Sequence, residues 1–551
     1  MIKQSKRIPC SEAIVESMKI EQVEKVFCVP GESFLPLMES IYLEPSIELY
    51  SNRHEGGAAF MAEGYAKASN KTGVVMATRG VGAANLSIGI HTAYQDSTPM
   101  VVLLGQVHSK FRGREGFQEL ELDQFLGQVT KWGAEIKDAE RTPEIMQKAF
   151  RIANSGRPGP VVVALPEDVL YEEADMMFGA AAVKPKPGMS AAEEARFIEI
   201  VGQAEKPVII AGGGVKLSNA EAALKSFAEQ TNIPIMAAFR RQDVIDNTHK
   251  NYCGHLGMGV PKEQIQTVKQ ADVVIVIGTR LSEVTTQDYS LLTEHQKLVH
   301  IDIEAAILGN VYSPDAGIVA DANEALEKLL EQSAYLMNEK RGTWLEERKQ
   351  AFLDSVQLEN VTEEALTVGY KEVMEQFNEI WPENGIISND AGNFAAWLHQ
   401  YHSFQSPKGY VGPTSGAMGY GLPAAIGAKL AFPESPVVSW SGDGGFMMTM
   451  QEIETAVRHH IPVIALVFNN GMYGTIRMHQ EWKFPKHNPA TMLGDVNYAG
   501  MAEHMGAKAK RVYSGEEFKS ALEEALHEKN KPTVIEMVMN NKQISPHFLV
   551  E

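Results

Sequence analysis

Asp443 sits in the glycine run Gly442-Asp443-Gly444-Gly445, and Asn470, second of the pair Asn469-Asn470, follows 27 residues after Asp443. Each stands at the end of an apolar run, "PVVSWS" before the aspartate and "PVIALVF" before the asparagines. The glycines let backbone approach a ligand, and a following helix would aim its first amides at it. A carboxylate, an asparagine amide and a backbone carbonyl form an oxygen set for a hard cation. Magnesium is the one whose octahedron phosphates complete. The stretch reads as a Mg²⁺–diphosphate site, against the alternative of an ordinary surface turn. It is not a nucleotide P-loop, because no Gly-Lys-Ser/Thr follows the glycines.

Such a turn binds ligands at the carboxyl edge of an open parallel sheet, and the chain supplies several sheets. Its 551 residues are enough for roughly three domains of about 150 residues. Short apolar runs alternate with helical patterns throughout, which predicts an α/β fold of three doubly wound parallel-sheet domains. The expected boundaries are 1–178, 190–335 and 360–551. In the first, "KVFCVPG", "IELYS", "GVVMATRG", "PMVVLLGQ" and "GPVVVALP" read as strands. In the second, "PVIIAGGGV", "IPIMAAF", "DVVIVIGTR" and "LVHIDIE" do, and in the third "GIISNDAG", "PVVSWSGDGG", "VIALVFNN" and "TVIEMVM". "AAVKPKPGMSAAEEA" reads as a linker, and residues 333–365 as a charged helical connection. The first and third units share a plan: a small-residue helix, a strand, a glycine turn (Gly80-Val81-Gly82 or Gly442-Asp443-Gly444), a helix and a further strand. That pattern fits a pseudo-repeat of one βαβ design, or the generic look of doubly wound folds.

Composition narrows the function classes. A formal charge of −20 argues against nucleic acid, whose phosphates need a basic field. No apolar run is long enough for a membrane span, and the N-terminus shows no apolar export segment. Cys10, Cys28 and Cys253 are too few and scattered for a disulfide framework or a zinc site. A cytoplasmic protein is the expectation.

The Asp443–Asn470 signature, with "VFCVPGESFLPL", "NRHEGGAAFMAEGYA", "GVGAANLSIGIHTAYQDSTPMVVLLGQV", "FQE", "SGRPGPVVVALPEDV", "SGAMGYGLPAAIGAKLA" and "PTVIEM", resembles the acetohydroxyacid (acetolactate) synthase branch of the thiamine diphosphate-dependent enzymes. The likeness runs collinearly over about 500 residues. It implies pyrimidine-binding, central and diphosphate-binding domains, in that order. By resemblance, Asp443, Asn470 and the Met472 carbonyl hold Mg²⁺, Asn393 and the Gly444 amide meet the diphosphate, and Gly442, Gly445 and Gly474 complete that turn. Glu55 matches the catalytic glutamate that bonds the pyrimidine N1′, a task that needs a desolvated carboxyl with a raised pKa. Its plain alternative is a charge at a helix N-terminus. The Gly416 carbonyl and Met418 amide would grip the pyrimidine edge while the Met418 side chain wedges under the bent cofactor. Phe117 and Gln118 would line the mouth of a neighbouring subunit's site, so at least a homodimer, or a homotetramer, is implied. The activity implied is decarboxylation of a pyruvate-like 2-oxo acid and condensation of the resulting enamine with a second carbonyl.

The chain departs from the pattern in several places. The acceptor-selecting tryptophan falls on His479, and the glycine after "PG" is Glu32, an acid placed as in simple 2-oxo acid decarboxylases, where it would relay protons. The paired-histidine motif of those decarboxylases is absent, and Glu167 replaces the lysine of "PKDV". Arg157, Gly213, Arg280 and Asp302 match a flavin pattern, yet "RFDD" has become "RLSE" and Gly259 stands for a histidine, which leaves FAD open. Two alternatives stay in view: a non-ligating 2-oxo acid decarboxylase or 2-hydroxyketone lyase, and a catalytically silent cofactor-binding partner subunit.

Overall fold

The computed structural model describes residues 5–361, 367–546 and 548–550. Three six-stranded parallel sheets form its frame. The N-terminal sheet holds β1 (Lys25–Cys28), β2 (Glu48–Ser51), β3 (Gly73–Thr78), β4 (Met100–Gln106), β5 (Trp132–Glu135) and β6 (Pro160–Pro166). The central sheet holds β7 (Pro207–Ala211), β8 (Ile235–Ala237), β9 (Tyr252–His255), β10 (Val273–Ile277), β11 (Lys297–Asp302) and β12 (Ala316–Val319). The C-terminal sheet holds β13 (Ile386–Asn389), β14 (Tyr410–Val411), β15 (Val437–Gly442), β16 (Ile464–Asn469), β17 (Lys508–Val512) and β18 (Thr533–Val538).

Spatial order separates the sheets. The outer two run β2-β1-β3-β4-β6-β5 and β14-β13-β15-β16-β18-β17, which is the same order counted within each domain. The likeness of the first and third units is therefore one of topology. The central sheet runs β9-β8-β7-β10-β11-β12, the doubly wound order of dinucleotide-binding folds.

Within these three sheets, five strands were not expected from the sequence: β5, β9, β12, β14 and β17. All five lie at sheet edges. Inner strands such as Val101–Leu104 and Val273–Ile277 are buried throughout and read as unbroken apolar runs. An edge strand such as Lys508–Val512 alternates exposed and half-buried positions and carries three charges. The presumed linker is shorter than expected. Ser190 and Glu193 form a reciprocal capping box, and Ala191–Gly202 is helix. Helices Ser333–Leu336 and Arg341–Ser355 fill the charged connection, whose residues 362–366 lie outside the described residues.

Asp96, at the end of the helix Arg79–Asp96, ties the three sheets together. It receives Arg241 Nη2 at 2.9 Å from the central domain and the Thr414 amide at 3.0 Å from the C-terminal one, with Lys67 Nζ 3.4 Å away. Burial opposes its ionisation, but Lys67 and Arg241 together hold its carboxyl below the ordinary range.

Candidate active site

The C-terminal half-site grows from the ends of β15 and β16. Asp443 is the first residue of the helix Asp443–Thr449, and its carboxylate is almost fully buried. Oδ1 accepts the Gly444 amide and Oδ2 the Gly471 amide, each at 2.8 Å. The two strand ends are thus joined through this one side chain. Burial pushes the Asp443 carboxyl up to about 6, a rise that its backbone amide partners only partly offset. Of the two asparagines, Asn469 turns to the core and donates to Glu536 Oε1 at 2.7 Å, while Asn470 stays beside the turn, accepting the Met472 amide at 3.3 Å. A Cβ at Gly444 would lie 2.5 Å from the Tyr473 ring, so a side chain there would close the approach to the helix amides. The same position lies 3.5 Å from the Met418 methyl, which places Met418 over the turn. Asn393 Oδ1 accepts Thr475 Oγ1 at 2.9 Å and so abuts the helix that starts at Gly474. Gly416 takes a left-handed φ of +68° and is exposed at the top of this loop.

Asp390, which sequence reasoning passed over, organises that loop. It is buried, accepts the amides of Ala391 at 2.7 Å and Gly419 at 3.0 Å, and is pushed by burial up to about 6. Its only signal in the sequence was an acid just past an apolar strand.

The N-terminal half-site gathers at the ends of β1, β2, β3, β4 and β6. Glu55 opens the helix Glu55–Ser69, and its Oε2 accepts Asn85 Nδ2 at 2.8 Å. The expected desolvation of Glu55 is incomplete within one chain, where the residue is half-buried. Phe117 is exposed, Gln118 is held at φ +63°, and the Gln118 carbonyl accepts the Gly80 amide at 3.0 Å. Glu32 ion-pairs with Arg79 at 3.2 Å, and Glu167 does so at 2.9 Å. Among the described residues, no hydrogen bond, ion pair or ring contact joins Glu55, Phe117 or Gln118 to the Asp443 turn. His479 is exposed on its helix, with its ring edge-on to Trp482 at 5.3 Å.

A second unexpected acid connects the two domains. Glu452 belongs to the C-terminal helix Glu452–Arg458 yet is fully buried against the N-terminal domain. It accepts Asn52 Nδ2 at 3.0 Å, the Arg53 amide at 3.2 Å, the His54 amide at 3.1 Å and Thr455 Oγ1 at 2.7 Å. It thereby fixes the turn immediately before Glu55. Gly57 leaves it room, since a Cβ there would fall 2.4 Å from Oε1.

The central domain presents a cleft lined by Arg157, Gly213, Arg241, Arg280 and Asp302 among others. It opens past β7, β10 and β11, at the point where the strand order reverses. Two of its arginines also bond the preceding helix end: Arg157 Nη2 donates to Tyr94 O and Arg280 Nη2 to Gln95 O, each at 2.7 Å. Burial pushes Asp302 up to about 6 and Arg280 down to about 10.

Among the described residues, no three His, Cys, Asp or Glu side chains cluster as a metal site, so a cation would rest on one carboxylate and neutral oxygens. Family profiles match each domain: "Thiamine pyrophosphate enzyme, N-terminal TPP binding domain" over residues 9–126, the "central domain" over 195–329, and the "C-terminal TPP binding domain" over 390–537. The chain belongs to the thiamine pyrophosphate enzyme family. A probable acetolactate synthase large subunit of Methanocaldococcus jannaschii is 34% identical over 97% of this chain and 93% of its own length. The acetolactate synthase isozyme 3 large subunit of Escherichia coli is 30% identical over the same shares. The Corynebacterium glutamicum large subunit is 31% identical over 97% of this chain and 87% of its own. Among the described residues, no helix is long and apolar enough to cross a membrane.

Proposed function

We propose that the chain is a thiamine diphosphate-dependent carboligase of the acetolactate synthase type, which decarboxylates a pyruvate-like 2-oxo acid and joins the two-carbon unit to a second carbonyl. The observation that carries this reading is Asp443, a buried carboxylate that among the described residues has only amide partners, bridging two strand ends beside open helix amides. Those features fit Mg²⁺ and a diphosphate. Asp443, Asn470 and the Met472 carbonyl would hold the ion, with Gly442, Gly444, Gly445, Gly474 and Asn393 around the phosphates and Gly416 and Met418 at the ring edge. Bound thiamine diphosphate supplies a nucleophilic carbon and an electron sink for decarboxylation.

Glu55 would hold a proton at the pyrimidine N1′, oriented by Asn85 and by the turn that Glu452 fixes. Phe117, Gln118, Glu32 and His479 would shape the substrate's surroundings. Because, among the described residues, no hydrogen bond, ion pair or ring contact joins Glu55, Phe117 or Gln118 to the Asp443 turn, we place Glu55 over the cofactor of a second copy. Val81, Ile88, Met447 and Met448 are exposed apolar residues that such a homodimer would cover. The central cleft would take FAD, its arginines facing the phosphates and Asp302 the ribose. The three cysteines are buried and unpaired, which supports a cytoplasmic location.

The test is incubation of the Mg²⁺- and thiamine diphosphate-loaded protein with a panel of 2-oxo acids, following CO₂ and products. Acetolactate or acetoin from pyruvate supports ligation, and free acetaldehyde alone would make it a decarboxylase. Flavin released on denaturation decides the central cleft.

A further inference from the structure

The ion pairs of Arg79 lie where a doubly wound sheet binds its ligand. In the N-terminal sheet the order reverses between β1 and β3. Glu32 follows β1 and Arg79 follows β3, so their ion pair spans the crevice outside that switch point. Arg79 is held in a left-handed conformation, φ +41°, with its side chain 8% exposed. Nη1 also lies 3.5 Å from the Phe117 carbonyl, the guanidinium packs 5.8 Å from the Phe117 ring centre, and Nε has no partner among the described residues. The arginine is thus buried, fixed from several sides and aimed at the loop that carries Phe117 and Gln118.

Its two acids are unlike. Glu167 makes the shorter contact and is 30% exposed; Glu32 makes the longer one and is 60% exposed. One arginine needs one carboxylate for neutrality, so this cluster holds one in excess. An ion pair with a side chain as exposed as Glu32 contributes little stability, and its loss to water costs correspondingly little. A carboxylate arriving at the crevice can replace Glu32 on Nη1 with no change in the charge count around Arg79.

We infer that Arg79 is the receptor for the substrate carboxylate and that Glu32 is a counter-ion which the substrate displaces. The inference rests on the carboligase reading for the identity of the substrate, a 2-oxo acid anion, and gives Glu32 a role other than proton relay. Glu167 and the Phe117 carbonyl keep the guanidinium in place during the exchange. No covalent step is involved, and Arg79 binds and orients only.

The probe is oxamate, an unreactive isostere of pyruvate, titrated calorimetrically into the Mg²⁺- and thiamine diphosphate-loaded protein. Glu32→Gln should tighten oxamate binding by about three- to tenfold, because the competing charge is gone, and Arg79→Gln should weaken it by about tenfold or more. Arg79→Lys, which keeps the charge without the fork, should fall between. Steady-state KM for a turned-over 2-oxo acid should move in the same directions as the oxamate affinities. Opposite signs for the two substitutions are what a purely structural cluster cannot give. Unchanged or weaker binding in Glu32→Gln, or no oxamate binding in any of the proteins, overturns the inference. The carboligase reading is judged separately: if no 2-oxo acid in the panel releases CO₂ from the native protein, that reading fails whatever the oxamate titrations show.

Discussion

The two outer domains share a strand order and differ in the residue that begins the helix after their third strand. In the N-terminal domain that residue is Arg79, and in the C-terminal domain it is Asp443. Each is buried, each follows a strand at a switch point, and each fastens a neighbouring loop: Arg79 the Phe117–Gln118 segment, Asp443 the Gly471 turn. Their charges are opposite. On the proposed reading, one place in one topology would serve an anion receptor in one domain and a cation receptor in the other. The fold supplies the location, and a single side chain decides the chemistry done there.

Removing the C-terminal member of the pair should break the comparison most severely. Asp443→Ala should lose both Mg²⁺ and thiamine diphosphate after chelation and desalting, with activity falling to background. Equilibrium binding of the cofactor measures it, and full activity without an added divalent ion would remove Asp443 from the site. Glu55→Gln acts on the other half. It should retain cofactor but slow C2 proton exchange by about 10²–10⁴-fold, the usual worth of a positioned acid–base group. An exchange rate equal to the native one, read by NMR, would show that another group holds the N1′ proton.

The central domain provides the contrast of a sheet with different order and a buried acid of its own. Asp302 has a folded-state pKa raised from 3.8 to about 6 by burial. A raised carboxyl costs stability at high pH: the cost is absent below the ordinary pKa, grows as pH rises toward about 6, and is complete above it. A rise of that size is worth about 3 kcal/mol. Asp302→Asn should therefore stabilise the cofactor-free protein at pH 7 by about that amount, and the gain should vanish as pH falls toward 4. Thermal or denaturant melts across that range give the answer; a gain independent of pH would assign it to packing. Where the central cleft takes FAD as proposed, the same variant should retain less of it.

What the sequence shows of this architecture follows burial. Strands covered on both faces, such as Val101–Leu104 and Ile464–Phe468, are continuous apolar runs and legible at sight. Five of the six edge strands of the three sheets were not, since exposed or half-buried residues such as Lys508, Lys510 and Arg511 carry no strand pattern. In the candidate site, glycine turns and strand-end polar residues were legible because their spacing is local. Glu452 and Asn52 were not, because a hydrogen bond spanning 400 residues leaves no periodicity in either segment. The alignment of turns also shifts: the N-terminal helix begins at Arg79, so Arg79 and not Val81 takes the place of Asp443.

Glu452 tests whether the two outer domains are coupled as well as similar. Its side chain belongs to the helical segment that continues from Asp443, and it holds the turn before Glu55. Glu452→Gln keeps the shape but presents an amide to two backbone N–H groups. C2 proton exchange should slow about tenfold, the scale of one or two lost charge-assisted hydrogen bonds. Mg²⁺ and cofactor affinity should not change, and a loss of affinity equal to the loss of rate would mean that the whole interface had moved.

The smallest effect belongs to His479, where the resemblance to the acetohydroxyacid synthases is weakest. Its ring is exposed and rests edge-on against Trp482, which is itself 56% exposed and packs on Phe548 at 5.3 Å. A tryptophan at 479 would add apolar area on the same helix face, one turn before Trp482. One methylene in an apolar pocket is worth about 1–3 kcal/mol of discrimination, and an exposed site recovers the low end of that range. His479→Trp should therefore raise the preference for 2-oxobutyrate over pyruvate as acceptor by about threefold to tenfold, with kcat for pyruvate alone nearly unchanged. Competition between the two acceptors, with products separated and counted, gives the ratio directly. If the native ratio is preserved in the variant, His479 lies outside the acceptor pocket, and the apolar face that an acceptor meets on this helix is that of Trp482.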